Sequence, residues 1–389
     1  MFRILTLNKI SSIIHLSLTA ENYVISSEEP APHGILVRSA DMHDMDLPEE
    51  LLAVARAGAG VNNIPIEDCT KKGIAVFNTP GANANAVAEL VIAGLMLGSR
   101  NVIGGAAWVK TLQDETGVAA LVEKGKNQFV GPEVRGKTLG VIGLGAIGAI
   151  VANAAAQGLG MKVIGYDPYI SVDNAWSLSR SIRHAASLAE VYREADYLTV
   201  HVPLNDSTRG MWNAAAFSQM KDGVRLLNYA RAGLCNEQDL AAALESGKVA
   251  SYVTDFPNET VLQMKNTVCI PHLGASTPES EENCAKMASE ELREYLEFGQ
   301  IRNAVNLPEV LLSPLAGPRV ELIHENEPGL ISAISAAIGA RKINIDNMVS
   351  KSRKTIAVTV LDLDSLPDER LMTQLMALPG VVRVHAFEI

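Results

Sequence analysis

The chain has 389 residues, of which 48% are hydrophobic and 20% charged, and a formal net charge of −11 at pH 7. That length suits two or three domains with substantial cores, and the acidic balance excludes nucleic acid or an anionic membrane as partner, since both need a basic face. The four cysteines (Cys69, Cys235, Cys269, Cys284) are scattered and form no C-x-x-C pair, which fits a reducing compartment; no metal site is expected.

The opening MFRILTLNKISSIIHLSLTA reads as a strand and a short helix rather than a targeting segment, because Lys9, Ser11, Ser12 and His15 interrupt its apolar run. A cytoplasmic location is therefore expected. Strands are predicted at 3–7, 23–26, 34–37, 52–57 and 74–77, alternating with helical or turn segments, which implies a parallel sheet with helices on its faces. A helix follows from 84 to about 100. Its apolar residues run nearly all round, so it is predicted to lie buried between layers. With Glu89 inside it, the apolar stretch is too short to span a bilayer.

A second alternating block starts at Lys137, with strands predicted at 137–143, 162–167, 197–203, 224–230, 249–255 and 267–272. These runs are apolar on both faces, as strands covered on both sides should be. A helix is predicted from about 278 to 298, with Thr277 as cap, Pro278 at its first position and Glu279, Glu281 and Glu282 at its positive end. Three prolines, Pro308, Pro314 and Pro318, mark a linker at 306–317. The remainder, 318–389, has the rhythm strand–helix–strand–strand–helix–strand of a small ferredoxin-like α+β unit.

Residues 140–148 read G-V-I-G-L-G-A-I-G, which sets Gly143, Gly145 and Gly148 in G-x-G-x-x-G spacing between a predicted strand and an Ala-rich helix at 146–159. Such a turn lets a pyrophosphate approach the backbone at a helix N-terminus. Asp167 ends the next strand, 24 positions after Gly143 (167 − 143), where a carboxylate can accept hydrogen bonds from an adenosine ribose and repel a 2′-phosphate. NAD is the expected cofactor. Three later segments each put a chemically useful residue just after a strand: Arg231 in N-Y-A-R-A-G, Glu259 in D-F-P-N-E and His272 in P-H-L-G-A-S-T. Ligands of open parallel sheets bind outside the carboxyl ends of strands, so all three can converge.

In this order and context, residues 1–306 resemble the D-isomer-specific 2-hydroxyacid dehydrogenases. The resemblance implies a Rossmann NAD-binding domain at 88–276 and a flavodoxin-like substrate domain at 1–87 with 277–305, both doubly wound parallel sheets. It implies that Arg231, Glu259 and His272 are catalytic: Arg231 holds the substrate carboxylate, His272 takes the C2 hydroxyl proton, and Glu259 orients the imidazole. It also implies that Gly143, Gly145, Ala146, Ile147, Gly148, Asp167, Pro203, Ala230 and Asp255 bind the cofactor. The sequence departs from the family's D-V-F-x-x-E-P: only three residues separate Asp255 from Glu259, and Thr260 replaces the proline. Either Asp255 or Thr254 could then meet the nicotinamide carboxamide.

V-R-S-A at 37–40 resembles the segment that holds substrate oxygens in members acting on a phosphorylated acid, and carries over Arg38 and Ser39. A-G-A-G-V-N-N-I at 57–64 and F-N-T-P at 77–80 similarly carry over Gly60, Val61, Asn62 and Asn78. H-E-N-E-P-G-L-I at 324–331 and I-N-I at 343–345 resemble an ACT domain, in which His324, Asn326 and Asn344 correspond to positions that bind L-serine in serine-regulated members. The combination implies oxidation of 3-phosphoglycerate to 3-phosphooxypyruvate in L-serine biosynthesis, by a homodimer or homotetramer. Two alternatives stand beside it: a dehydrogenase of another D-2-hydroxy acid, such as glycerate or 2-hydroxyglutarate, and a non-catalytic NAD-sensing protein that keeps the scaffold.

Overall fold

In the computed structural model, which describes residues 1–315 and 317–387, the chain folds as two compact units, Met1–Asn83 with Glu281–Ile389 and Ala84–Ser280. The first unit holds a parallel sheet of β1 (Phe2–Leu7), β2 (Tyr23–Ser26), β3 (Gly34–Val37), β4 (Ala53–Arg56) and β5 (Ala75–Phe77), in the order β2-β1-β3-β4-β5. This is the flavodoxin-like order expected. All four residues of β3 are buried, because helices or loops cover both faces of the sheet centre.

Within the same unit, β13 (Arg319–Glu325), β14 (Ile345–Arg353), β15 (Ile356–Leu363) and β16 (Val381–Phe387) form an antiparallel sheet ordered β14-β15-β13-β16, with helices at Leu330–Ala340 and Glu369–Met376. Strand alternation divides its work. Val320, Leu322 and Leu361 pack with Leu330 and Ile334 of one helix and Leu371 of the other. Ile323, Val358 and Val360 point the opposite way, into a core shared with Phe77, Leu292 and Tyr295. Polar ties reinforce this seam. Arg319 is fully buried, pairs with Asp362 at 2.6 Å and donates to the carbonyls of Phe298 and Ser313. Arg383 donates to the carbonyls of Glu49 and Leu51.

The segment expected as a linker is packed where it is described. Leu307 and Val310 are fully buried, Ile301 and Val310 exchange backbone hydrogen bonds at 2.9 Å, and Asn306 accepts from Val76 N while donating to Ile74 O. Prolines remove donors there, but the side chains between them are apolar and find a core.

The second unit is a seven-stranded parallel sheet: β6 (Thr138–Ile142), β7 (Lys162–Tyr166), β8 (Arg183–His184), β9 (Tyr197–Val200), β10 (Val224–Asn228), β11 (Val249–Thr254) and β12 (Thr267–Cys269), ordered β12-β11-β10-β9-β6-β7-β8. Strand order reverses between β6 and β9, which makes the switch point at which such sheets bind ligands. The predicted helix at 146–159 forms as Ala146–Asn153 and ends in one wider π turn at Ala154–Gly158. Helix Ala84–Ser99 buries Val87, Val91 and Leu95, as its all-round apolarity predicted. By contrast, helices Val102–Lys110 and Val118–Gly125 bury no residue. The helix Pro278–Phe298 forms over the predicted span, and Thr277 Oγ1 accepts from Ser280 N at 3.1 Å.

Candidate active site

Because all strands of the second unit run parallel, the turns after β6, β7, β9, β10 and β11 gather at one edge of the sheet. Gly143 follows β6 with φ +90°, and a Cβ there would lie 2.6 Å from His201 O. A Cβ on Gly148 would lie 1.9 Å from Gly143 O, so helix and turn touch through glycine alone. Nothing lies within 4 Å of the Cβ position of Gly145, which leaves space for a ligand beside the backbone. Ala146, Ile147 and Gly148 form the first turn of the following helix, whose N–H groups have no partner in the helical ladder.

Asp167 accepts from Leu144 N at 2.8 Å through one oxygen and from Tyr169 N at 2.9 Å through the other. The carboxylate is thus tied to the glycine turn, and each oxygen keeps a lone pair for a ribose hydroxyl. Pro203 is exposed, and its carbonyl accepts from Thr208 Oγ1. His201, two residues earlier, escaped the sequence reading. Its Nε2 lies 3.0 Å from Thr199 Oγ1, its Nδ1 has no partner among the described residues, and burial pulls its pKa down to about 4.

Asn228, also missed, organises the loop that carries Arg231. It is fully buried at the end of β10; its Oδ1 accepts from Ala230 N and Arg231 N, and its Nδ2 donates to Arg231 O at 2.9 Å. Arg231 itself is exposed and donates to Ala230 O. The local signal for Asn228 was an amide closing a strand whose two preceding residues, Leu226 and Leu227, are apolar.

Asp255, at the end of β11, is 1% exposed, and its Oδ1 has no hydrogen-bond partner among the described residues. Burial raises its pKa, opposed by His272, the Gly274 N–H and Arg231. Those residues are therefore its electrostatic neighbours. Thr254 is committed elsewhere: its hydroxyl donates to Asn228 O at 2.9 Å and accepts from Phe256 N. His272 is exposed and lies against Phe256, ring centroids 4.8 Å apart. Glu259 is exposed too, and among the described residues neither it nor His272 forms a side-chain hydrogen bond. The shortened D-F-P-N-E loop is held instead by Asn258, which bonds Glu237 and Val261 N.

An open Gly145, a turn-anchored Asp167 and a buried orphan oxygen on Asp255 together fit a dinucleotide along this edge.

The candidate substrate residues lie on two loops of the first unit. Asn8 Oδ1 accepts from Ser39 N and Ala40 N, Asn63 donates to Ala40 O, and Asn78 donates to Ala59 O at 2.6 Å. Arg38 is ion-paired with Glu281 at 2.5 Å. Gly60, Val61 and Asn62 follow on the second loop. At the ACT unit, His324 is buried with both ring nitrogens engaged, by Glu325 O at 2.7 Å and Thr359 Oγ1 at 2.8 Å. Asn326 and Asn344 are exposed.

Residues 93–274 match the model of the D-isomer specific 2-hydroxyacid dehydrogenase NAD binding domain, and residues 319–380 match the ACT domain. A protein of Rattus norvegicus named D-3-phosphoglycerate dehydrogenase is 36% identical over 282 residues, 70% of this chain and 50% of its own length. One of the same name from Archaeoglobus fulgidus is 33% identical over 328 residues, 82% of this chain and 60% of its own. The chain thus spans about half the length of the curated relatives it matches. A solved NAD+-bound 3-phosphoglycerate dehydrogenase of Entamoeba histolytica is alike in fold, with TM-score 0.59 and 24% identity over 78% of this chain and 98% of that one. Residues 93–274 thus form a D-isomer specific 2-hydroxyacid dehydrogenase NAD binding domain, and residues 319–380 an ACT domain in the same chain.

Proposed function

We propose that this enzyme oxidises 3-phospho-D-glycerate to 3-phosphooxypyruvate, the first step of L-serine biosynthesis. The observation that carries the reading is the union in one chain of the NAD-binding dehydrogenase domain with an ACT domain, at 33–37% identity to relatives named for this reaction. When bound, NAD supplies the hydride acceptor. Arg231 binds the substrate carboxylate through its guanidinium fork and polarises the C2 oxygen. A ring nitrogen of His272 takes the C2 hydroxyl proton, and Glu259 orients that ring. A missing Glu259–His272 bond in the free enzyme is compatible with this, since catalytic hydrogen bonds tighten when substrate arrives. Asp255, with its buried free oxygen, suits the nicotinamide carboxamide better than Thr254, whose hydroxyl is already used.

The same reading makes L-serine an effector at the ACT unit through Asn326 and Asn344, His324 serving from within the fold. It also makes the enzyme a homodimer or homotetramer of the cytoplasm; three of its four free cysteines are buried, and cell fractionation checks the location. The test of substrate is NADH formation from NAD with 3-phospho-D-glycerate, D-glycerate and D-2-hydroxyglutarate. Turnover of the first at kcat/KM at least about 100-fold above the others is expected. Preference for either of the others refutes the substrate assignment.

A further inference from the structure

The loop that carries Arg231 opens on a tyrosine, Tyr229. Tyr229 and Asp255 each stand one residue past the end of their strand, and the last residues of those strands, Asn228 and Thr254, are register partners on neighbouring parallel strands. The two side chains also share a face. One pleat earlier, Leu227 and Val253 pack in one core with Val91 and Leu95 of the helix Ala84–Ser99, and side chains two residues further on point the same way. Tyr229 belongs to that apolar core, and Asp255 brings a buried carboxylate to its edge.

The helix makes room for the phenol. A Cβ on Gly94 would lie 2.5 Å from the Tyr229 hydroxyl oxygen and 2.9 Å from Cε2 of its ring. Glycine is needed at 94 for this reason, although alanine is the better residue in the middle of a helix. The hydroxyl so accommodated has no hydrogen-bond partner among the described residues, and neither has Asp255 Oδ1. Asp255 Oδ2 faces Gly274, 3.3 Å from the Cβ position of that residue. Burial, with the charge of Asp255 adding to it, holds the Tyr229 phenol well above its ordinary pKa, so it stays a donor. A donor and an acceptor are thus buried at neighbouring strand ends with their bonds unmade, which is unfavourable in a core. Phenylalanine would fill the same space without that cost, so packing alone does not account for the hydroxyl.

We propose that Tyr229 is a positioning residue for Asp255: its O–H donates to the carboxylate and fixes the orientation in which that carboxylate accepts the N–H of the nicotinamide carboxamide. Each carboxylate oxygen has two lone pairs, so the group can serve both donors. The inference rests on the reading of Asp255 as the carboxamide's partner and is independent of which hydroxy acid is oxidised.

The test uses the full-length protein as wild type, Tyr229→Phe, Gly94→Ala and Asp255→Ala. It reads, by isothermal titration calorimetry, binding of NADH and of ADP-ribose, which lacks the nicotinamide. Tyr229→Phe is expected to raise the Kd of NADH about 5- to 20-fold and that of ADP-ribose less than about twofold. Gly94→Ala, which keeps the hydroxyl but displaces it, is expected to follow Tyr229→Phe. Asp255→Ala is expected to show the same split, with NADH weakened about 20-fold or more. A Kd for NADH within about twofold of wild type in Tyr229→Phe overturns the proposal. So does an equal loss for both ligands, which is what a merely structural role would give. Should Tyr229→Phe fail to fold, as judged by circular dichroism, Gly94→Ala decides on the same criteria. If Asp255→Ala shows no split, the carboxamide reading has failed and the proposal falls with it. A split in Asp255→Ala without one in Tyr229→Phe leaves that reading standing and removes Tyr229 alone.

Discussion

At the scale of single residues, the proposed mechanism gives the C2 proton to His272, with Asp255, Glu259 and Arg231 assigned to act beside it. Asp255 is buried and feels both His272 and Arg231, while Glu259 is exposed. In the proposed mechanism Glu259 orients the ring of His272, so Glu259→Gln is expected to lower kcat about tenfold with the KM for substrate changed less than about threefold. An unchanged kcat would remove Glu259 from the account. Gly143 and Asp167 could be read from their motif, and they stand in the turns after β6 and β7 that the motif requires. The bonds by which Asn228 shapes the loop after β10 could not, because they depend on how that loop folds back on the strand end.

At the scale of elements, the seam between the helix Pro278–Phe298 and β13 carries a buried acid. Tyr295 OH donates to Glu321 Oε2 at 2.9 Å, while Oε1 has no partner among the described residues, and burial raises the Glu321 pKa to about 7. Arg383 opposes that shift. Because the folded pKa lies above the unfolded one, the folded state binds the extra proton. This contribution to stability is complete below about pH 4.5 and is lost as pH rises through about 7. Glu321→Gln is expected to flatten the fall of Tm across that window; an unaltered slope would place the pH dependence elsewhere. Glu291 on the same helix, raised by burial to about 8, would remain as a second source.

Long periodic elements such as 84–99 and 278–298 could be read from pattern alone. Short helices such as Val172–Ser177 and Ala214–Gln219 could not, since two turns carry too little periodicity and are stabilised by tertiary packing. The proline-bearing strap at 306–315 misled for a related reason: its prolines speak of backbone, whereas Leu307 and Val310 decide where it packs.

For the whole molecule, the alternating strand–helix rhythm gave two parallel sheets and the final α+β unit, but it could not tell that the latter shares a core with the first sheet. One exposed helix suits the proposed dimer. Val102, Ile103 and Val109 of the helix Val102–Lys110 are 45–51% exposed, an apolar surface that a second copy would cover. Light scattering is expected to give a mass of at least twice 41.5 kDa, with Ile103→Glu weakening association. Millimolar L-serine is expected to inhibit, and Asn344→Ala to relieve it. A monomer at micromolar concentration, or a rate indifferent to serine, contradicts the corresponding part.

The central claim, hydride removal from C2 of 3-phosphoglycerate, is tested most directly by supplying the D-isomer deuterated at C2 and weighing the reduced cofactor by mass spectrometry. The account predicts one deuteron in each NADH formed. Unlabelled NADH, or no reduction at all, would contradict it.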